Sequence, residues 1–267
     1  MQVARPRIMG VVNVTPDSFS DGGRFLDHSA AIAHAHTLVA QGADWVDVGG
    51  ESTRPRAEPV PADEELRRVV PVVEALAADG VAVSIDTRKA EVARAAVAAG
   101  ARMVNDVSSS LAEVAAETGV GFVAMHMLGD PRTMQNDPAY DDVVLDVRDY
   151  LVDRAGAARA AGVADVWIDP GIGFGKTLEH NLDLLSNLDV LVATGFPVLV
   201  ATSRKTMLGT LAARADPGGA VPPTADRLEG SVATAVWAVL LGAAMVRAHD
   251  VAATVQAFEA VRYTRET

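Results

Sequence analysis

Short apolar runs alternate along the whole chain with longer segments of helical period. Each short run is rich in Val, Ile or Met and is bounded by polar residues, glycine or proline, which is typical of a buried strand. In the longer segments the apolar positions recur every three to four residues, and several segments end at a glycine. The predicted strands are 8–12, 44–48, 81–85, 103–104, 122–125, 166–168, 197–200 and 245–246. The predicted helices are 29–41, 62–78, 89–99, 111–118, 143–161, 182–193, 226–241 and 251–261.

Eight strand–helix pairs in a chain of 267 residues predict a (β/α)8 TIM barrel, an α/β fold whose parallel strands form a ring. We expect residues 1–267 to form a single domain, because no linker rich in Pro or Ser divides them. The alternative is a doubly wound sheet. That fold would carry the phosphate fingerprint Gly-x-Gly-x-x-Gly after its first strand, and the sequence lacks it there.

The composition of the sequence limits the cellular compartments and the classes of partner that we expect. The net charge of −12 argues against a nucleic-acid partner. The sequence contains no cysteine, which excludes disulfides and thiolate metal sites and is compatible with a reducing compartment. It shows neither a signal-peptide pattern at its start nor an apolar run of about 18 residues, so we expect a cytoplasmic protein that does not associate with membranes.

A polar loop, residues 13–23, follows the first predicted strand. Pro16 and the pair Gly22 and Gly23 are incompatible with regular structure there. The amide, hydroxyl and carboxylate groups of this loop suit a metal-bound or phosphorylated ligand better than a protein core. Taken alone, the segment is equally well interpreted as an ordinary surface loop. A functional interpretation is favoured because a polar segment follows each of the other seven strands as well.

In a barrel the carboxyl ends of all strands meet at one mouth, where the chemistry takes place. The polar or charged residues at the eight predicted ends are Asn13, 51–54, Asp86, 105–106, His126, Asp169, 203–205 and 247–250. Helix capping explains Asp, Asn, Ser and Thr at such positions. Capping does not predict Lys205, Arg247 or His249, so the set as a whole indicates a functional site.

These strand ends fall into two chemical groups. Asp86, Asn105 and Asp169 offer acceptors and one amide donor, which suits a heterocycle resembling an aminopyrimidinone, although a set of partnered structural carboxylates is the alternative. The basic residues gather after the last two strands and predict an anion there; they are Arg204, Lys205, Arg247 and His249. The stretch 169–177 is not a nucleotide P-loop, because Pro170 stands where that motif requires glycine. Neither His-Glu-x-x-His nor an EF-hand loop occurs, so any metal site would depend on the substrate for ligands.

Together these stretches resemble the dihydropteroate synthase family. The segments that carry the resemblance, in the family's order, are 8–23, 50–55, 84–87, 105–106, 125–127, 169–176, 203–205 and 247–250. The resemblance implies an enzyme of folate biosynthesis. Such an enzyme condenses 6-hydroxymethyl-7,8-dihydropterin diphosphate with p-aminobenzoate to give 7,8-dihydropteroate and pyrophosphate.

The resemblance also implies a role for each matching residue. The residues expected to bind the pterin are Asp86, Asn105, Asp169 and Lys205. Mg²⁺ is the implied cofactor, held by Asn13, and the implied diphosphate contacts are Thr53, Arg247 and His249. The residues expected around p-aminobenzoate are Phe19, Thr53, Pro55, Ser203 and Lys205. The predicted catalytic residues are Asn13, Lys205, Arg247 and His249. A homodimer formed through helices late in the chain is implied as well.

Two positions depart from the family pattern, and other functions stay open. Arg56 replaces a usual Gly beside the expected p-aminobenzoate site, and Ala248 replaces a usual Val. A related pterin-binding domain that transfers a methyl group to a corrinoid partner is one alternative. A catalytically silent paralogue that only binds pterin is another, and a purely structural role is the third. Asn13, Arg247 and His249 are all present, which argues against the silent paralogue.

Overall fold

Eight parallel strands lie side by side in one sheet of a computed structural model that describes residues 5–15, 27–52, 57–216 and 218–266, with side chains described as far as residue 262. The order of the strands is β6-β5-β4-β3-β2-β1-β8-β7. Their bounds are β1 Arg7–Asn13, β2 Trp45–Gly49, β3 Val83–Asp86, β4 Met103–Asp106, β5 Gly121–Met125, β6 Val166–Asp169, β7 Leu199–Val200 and β8 Met245–Ala248.

The two outer strands of that order also meet. A parallel bridge joins Ile168 of β6 to Val198, next to β7, and the N–H of Ile168 donates to the carbonyl of Pro197 at 3.0 Å. This contact makes the sheet a ring. The predicted (β/α)8 barrel is therefore confirmed. In the doubly wound alternative the strand order would reverse part-way along the sheet instead of running round it in sequence.

Ten helices accompany the strands within the described part of the chain. They are α1 His28–Ala40, α2 Ala62–Ala78, α3 Ala90–Ala98, α4 Ala112–Thr118, α5 Val143–Ala160, α6 Leu178–Ser186, α7 Leu188–Val192, α8 Thr206–Ala215, α9 Leu228–Leu240 and α10 Val251–Glu266. None of the helices so described is both long enough and apolar enough to cross a lipid bilayer.

Side chains alternate between the inside and the outside of the barrel, as the period of two along a strand requires. A first buried cluster fills the inside, and its members are Met9, Met103, Val123, Trp167, Leu199, Ala201 and Met245. A second, larger cluster lies between the strands and the surrounding helices, and Ile8, Val46 and Ile85 are examples. Strand residues two positions after an inward apolar residue therefore lie inside the barrel, nearer its mouth.

Two helices differ from the prediction. The helix predicted at 182–193 begins earlier, at Leu178, and is interrupted at Asn187, so it forms α6 and α7. Helix α8 was not predicted, because its sequence contains Gly209 and two threonines, which have low helix propensity. A Cβ on Gly209 would lie 2.8–3.0 Å from the guanidinium of Arg227, so the glycine lets this side chain pack close to the backbone of α8.

Candidate active site

The strand register brings three predicted site residues, Asn13, Asp86 and Asn105, to one level of the barrel. Asn13 pairs with Gly49, Gly49 with Asp86, and Asp86 with Asn105, across the neighbouring strands β1 to β4. Asn13 and Asp86 are the last residues of their strands. Because Gly49 has no side chain, the level between Asn13 and Asp86 stays open at the mouth.

Arg247 of β8 connects this level to a carboxylate one layer deeper. Its Nη2 donates to Asp86 Oδ2 at 2.9 Å, and its Nε donates to Asp47 Oδ2 at 2.6 Å. Asn105 Nδ2 donates to the same Asp47 oxygen at 3.0 Å. The carboxylate of Asp47 is fully buried, so the cation of Arg247 offsets the cost of removing its charge from water. Asp47 therefore holds two predicted site residues in place.

Two buried oxygens in this cluster have no hydrogen-bond partner among the described residues. They are Asp47 Oδ1 and Asn105 Oδ1, and both are acceptors. Buried polar atoms are normally satisfied, so unpartnered acceptors at the floor of a mouth fit a ligand that presents N–H groups. A flat amino-heterocycle presents amino and ring N–H groups of this kind.

Burial changes the protonation of the charged groups around this floor. Burial raises the pKa of the Asp86 carboxyl to about 7, with Arg247 opposing the shift and Asp47 adding to it. Burial also raises the pKa of Asp169, although Lys205 opposes that shift. The pKa of Lys205 falls to about 8, again chiefly through burial. Lys205 and Asp169 therefore stabilise one another's charge. The charges of Asp86 and Arg247 are close enough to affect the pKa of Lys205 as well.

Asp169 ends β6 and is held by the turn that follows it. The N–H of Gly171 donates to Asp169 Oδ1 at 2.7 Å. Gly171 has a φ of +64°, and a Cβ at this position would lie 1.8 Å from the carbonyl oxygen of His126. Only glycine fits such a backbone. Lys205 approaches the same turn from β7, where its Nζ donates to the carbonyl of Ile172.

The segments after β7 and β8 are joined directly. The N–H of His249 donates to Ser203 Oγ at 3.1 Å, and His249 Nδ1 lies 3.0 Å from the same oxygen. Arg204, which the sequence grouped with the anion-binding cations, instead forms a two-pronged ion pair with Asp250, at 3.0 and 2.5 Å. Arg204 has a φ of +60°, which is unusual for a residue with a side chain. The contacts of Arg204 thus fix the backbone between Ser203 and Lys205.

A second ion cluster supports the segment between β2 and α2. Glu51 accepts from the N–H of Val60 at 2.9 Å and from Arg88 Nε at 3.0 Å. Lys89 Nζ donates to Glu51 at 2.5 Å and also to Glu65, whose carboxylate is fully buried. Glu51 therefore ties the start of this segment to its end. Thr53 and Pro55 lie outside the described residues, as do Phe19 and Arg56.

The structure thus brings most of the predicted site together. Asp86, Asn105 and Arg247 share one hydrogen-bonded cluster, Asp169 and Lys205 meet at the turn after β6, and Ser203 and His249 contact one another. Asn13 lies at the rim, partly exposed. Among the described residues no group of three acidic or histidine side chains could hold a metal ion.

Two residues of this region were missed from the sequence. Asp47 lies in the middle of a predicted apolar strand, and a lone carboxylate between Val46 and Val48 is the signal that could have revealed it. Lys176 is buried at the end of the turn after β6, and it belonged to a recognised motif without any role. Both are buried charges, a feature that marks functional or structural networks.

The sequence model of one protein family, described as pterin binding enzyme, matches residues 9–249. This range contains every strand except the first two residues of β1. The chain belongs to the pterin binding enzyme family.

Relatives within this family match along nearly their whole length. A Mycobacterium leprae protein named dihydropteroate synthase is 49% identical over 269 residues, which cover 98% of this chain and 94% of the relative. The Xanthomonas albilineans dihydropteroate synthase with 4-aminobenzoic acid is 46% identical, with a TM-score of 0.90 and coverage of 99% of this chain and 95% of that chain. A structure of the X. albilineans enzyme with 7,8-dihydropteroate is 44% identical, with a TM-score of 0.87 and coverage of 100% and 96%.

Proposed function

We propose that this pterin binding enzyme carries out the dihydropteroate synthase reaction. It condenses 6-hydroxymethyl-7,8-dihydropterin diphosphate with p-aminobenzoate and releases pyrophosphate. The observation that carries the proposal is the floor of the mouth, where buried, unpartnered acceptors lie beside a set of cations. Relatives of nearly equal length support it, because they bind 4-aminobenzoate and 7,8-dihydropteroate, a substrate and the product of this reaction.

The pterin ring binds at the floor. Asn105 Oδ1 and the Asp169 carboxylate accept hydrogen bonds from the ring's amino and N–H groups, and Asp86 lies beside them. Burial makes these bonds strong, since they form in a low-dielectric environment. Arg247 keeps Asp86 in position, so this arginine acts at the pterin end as well as on the diphosphate.

The proposed contacts of the diphosphate are Thr53, Arg247 and His249, of which Arg247 lies near the end of β8 and His249 directly follows that strand. Donors at these positions stabilise the negative charge that grows on the departing diphosphate, which is the usual source of catalysis in group transfer of this kind. Lys205 is placed with the pterin, beside Asp169. Ser203 and its neighbours receive p-aminobenzoate, together with Phe19 and Pro55 of the first two loops.

Mg²⁺ is the proposed cofactor, with Asn13 as its protein ligand. Asn13 offers one amide oxygen at the rim. This fits Mg²⁺, which usually takes few protein ligands and fills its coordination with substrate phosphates and water. When bound, the ion neutralises charge on the diphosphate.

In the reaction, the bond between the pterin methylene carbon and the diphosphate oxygen breaks, and the electron pair leaves with pyrophosphate. The amine of p-aminobenzoate then attacks the cationic methylene carbon and forms the new C–N bond, and the amine proton passes to solvent. A reactive electrophile of this kind needs no general base on the protein. The chain instead positions the two reactants and excludes water that would capture the cation.

Incubation of the purified protein with both substrates and Mg²⁺, while pyrophosphate and dihydropteroate are measured together, tests this proposal. We expect the two products in equal amounts and none of either when p-aminobenzoate is omitted. Binding of the pterin without turnover would identify a silent paralogue. Methyl transfer from a methylated pterin to a corrinoid, with no condensation, would replace the proposal by the methyltransferase function.

The proposal includes a homodimer in the cytoplasm. Trp237 of α9 is 49% exposed, and a large apolar side chain at the surface of a late helix suits a contact with a second copy. Light scattering after size exclusion tests this, with Trp237→Arg expected to shift the mass toward the monomer. The cysteine-free sequence is compatible with a reducing compartment.

A further inference from the structure

The turn between β6 and α6 is held by side chains instead of by a backbone ladder. Each of its five successive carbonyls, at residues 171–175, accepts a hydrogen bond from a side chain. The donors, in order of the carbonyls, are Lys176, Lys205, Gln135, Lys176 and Tyr140. The glycines of this turn all have positive φ, which aims the carbonyls at these donors.

Lys176 contributes two of the five bonds and is 3% exposed. Its Nζ contacts Gly171 O at 3.1 Å, Phe174 O at 3.0 Å and His126 Nδ1 at 2.8 Å. Burial lowers the pKa of His126 to about 3, so its imidazole is neutral and its Nδ1 accepts from the lysine. Burial also lowers the pKa of Lys176 to about 7, and below that pH its ammonium group offers three N–H donors to the three acceptors around it.

The chain uses lysine sparingly, which makes this position informative. The sequence contains 20 arginines and only three lysines, at 89, 176 and 205. All three follow strand ends at the mouth, and each contacts at least one carboxylate or backbone carbonyl. A planar guanidinium cannot direct three donors to acceptors that surround a single point, whereas a compact ammonium can.

The hydrogen bonds of Lys176 act on the pterin end of the site indirectly, through the turn after β6. Gly171, whose carbonyl Lys176 holds, donates its own N–H to Asp169. Phe174, whose carbonyl Lys176 also holds, places its ring 4.6 Å from Lys205 Nζ. Between these two residues, Ile172 accepts a hydrogen bond from Lys205. Lys176 therefore holds both ends of the segment that contacts Asp169 and Lys205.

We propose that Lys176 is a positioning residue for the pterin end of the site, which it serves by fixing residues 171–174 and through them Asp169 and Lys205. It does not touch the substrate. This inference rests on the proposed function and deepens it, because it assigns to pterin recognition a residue that lies outside the substrate contacts.

Lys176→Met tests the proposal, because methionine keeps the length of the side chain and removes all three donors. We expect the KM for the pterin diphosphate to rise by roughly ten- to a hundredfold, the range found when a group that orients a binding residue is removed. The KM for p-aminobenzoate should rise by a smaller factor, because Lys205 is the one proposed contact of that substrate that the turn holds. A purely structural lysine would lower the amount of active protein and leave both KM values unchanged.

Lys89→Met is the matched control. Lys89 is also bonded to two partners, Glu51 and Glu65, and within the described part of the chain none of its hydrogen bonds reaches the turn after β6. Because Lys89 supports the segment that carries Thr53, a proposed diphosphate contact, the two variants are compared by their affinity for a pterin without phosphates. We expect Lys89→Met to leave that affinity close to that of the unaltered protein, whereas Lys176→Met lowers it. An equal loss in both variants would attribute the effect to general destabilisation and overturn the proposal.

Hydrogen exchange of the backbone amides gives a readout that does not depend on turnover. Lys176→Met should lose protection at residues 171–175, while the amides of β3 and β4 stay protected. If the unaltered protein does not condense the substrates, the proposed function fails and the exchange experiment still decides the role of Lys176. Unchanged protection at residues 171–175 overturns that role.

Tyr140→Phe keeps the proposal testable if Lys176→Met does not fold. It removes only the hydroxyl that donates to Gly175 at 2.7 Å, at the outer edge of the turn. We expect the pterin KM to rise in the same direction by a smaller factor. A pterin KM unchanged within error, together with unchanged exchange at residues 171–175, would contradict the proposal.

Discussion

Arg247 Nε donates to Asp47 Oδ2 at 2.6 Å, across 200 residues of sequence. The bond joins the last strand of the barrel to the second, below the level at which the strands end. Asp47 brings no group to the rim, yet it fixes both Arg247 and Asn105. The predicted ligands of the pterin therefore depend on a carboxylate that lies beneath them.

Asp47→Asn should weaken the floor of the site. The amide preserves the shape but removes the charge that balances Arg247, and loss of a hydrogen bond to a charged group costs about 1.5–3 kcal/mol. We expect a loss of that size in the free energy of unfolding, measured with urea, together with weaker pterin binding. Asp149→Asn, at a carboxylate that is 68% exposed, is the control and should change stability by less than about 0.5 kcal/mol. Equal stability of the two variants would mean that Asp47 does not hold the cluster.

Asp169→Asn should abolish pterin binding while the fold remains. The substitution replaces a charged acceptor by a group that also donates, and a ring N–H then meets a donor. Hydrogen bonds to a charged acceptor are worth about 1.5–3 kcal/mol each, so losing two lowers affinity by at least about a hundredfold. Calorimetric titration with a pterin measures the affinity, and circular dichroism checks the fold. A folded variant with normal affinity would remove Asp169 from the site.

Asn13→Ala should discriminate between two forms of the pterin. If the Asn13 amide holds Mg²⁺ at the diphosphate, the variant will use the diphosphate substrate poorly and require more Mg²⁺. Its affinity for a pterin without phosphates should stay within about twofold, since the floor of the site is untouched. Titration of both ligands, with and without Mg²⁺, makes the comparison. Parallel loss of both affinities would show that Asn13 has a structural role.

Lys205 predicts an alkaline limb in the pH dependence of kcat/KM. Its folded pKa is about 8, lowered from the ordinary value near 10.4 by burial, so its positive charge is present below pH 8 and is lost above it. Activity should therefore fall above about pH 8 as the cation beside Asp169 disappears. Lys205→Arg keeps its charge throughout this range and should show no limb near pH 8, at whatever rate it retains.

Stability should respond to the same group in the opposite sense. Between about pH 8 and 10.4 the unfolded chain holds a proton on Lys205 that the folded chain has released. Raising the pH through this window therefore favours the folded state as far as Lys205 is concerned. Urea unfolding at several pH values, for the unaltered protein and Lys205→Met, isolates this contribution. If unfolding caused the loss of activity above pH 8, the unaltered protein would instead lose stability relative to Lys205→Met over the same pH range.

The hydrophobic pattern determined the barrel and most of its mouth. Strands with near-continuous apolar residues pack on both faces, and the carboxyl ends of parallel strands meet at one edge, so Asp86, Asn105, Asp169 and Arg247 could be placed near one another from their positions alone. Strand and helix periods are local properties of the chain. These periods can be recognised without knowing what each element contacts. All eight predicted strands are present in the structure.

Only the tertiary structure decided which charges are paired with which. Asp47 and Lys176 are buried charges, and each has a partner on a distant segment, Arg247 for Asp47 and His126 for Lys176. Arg204 looked like an anion ligand in the sequence, but Asp250 of the next strand's loop engages its charge. A sequence pattern reports the preference of each segment, whereas pairing of buried charges depends on distances between segments far apart in the chain. Those distances exist only once the ring of strands has formed.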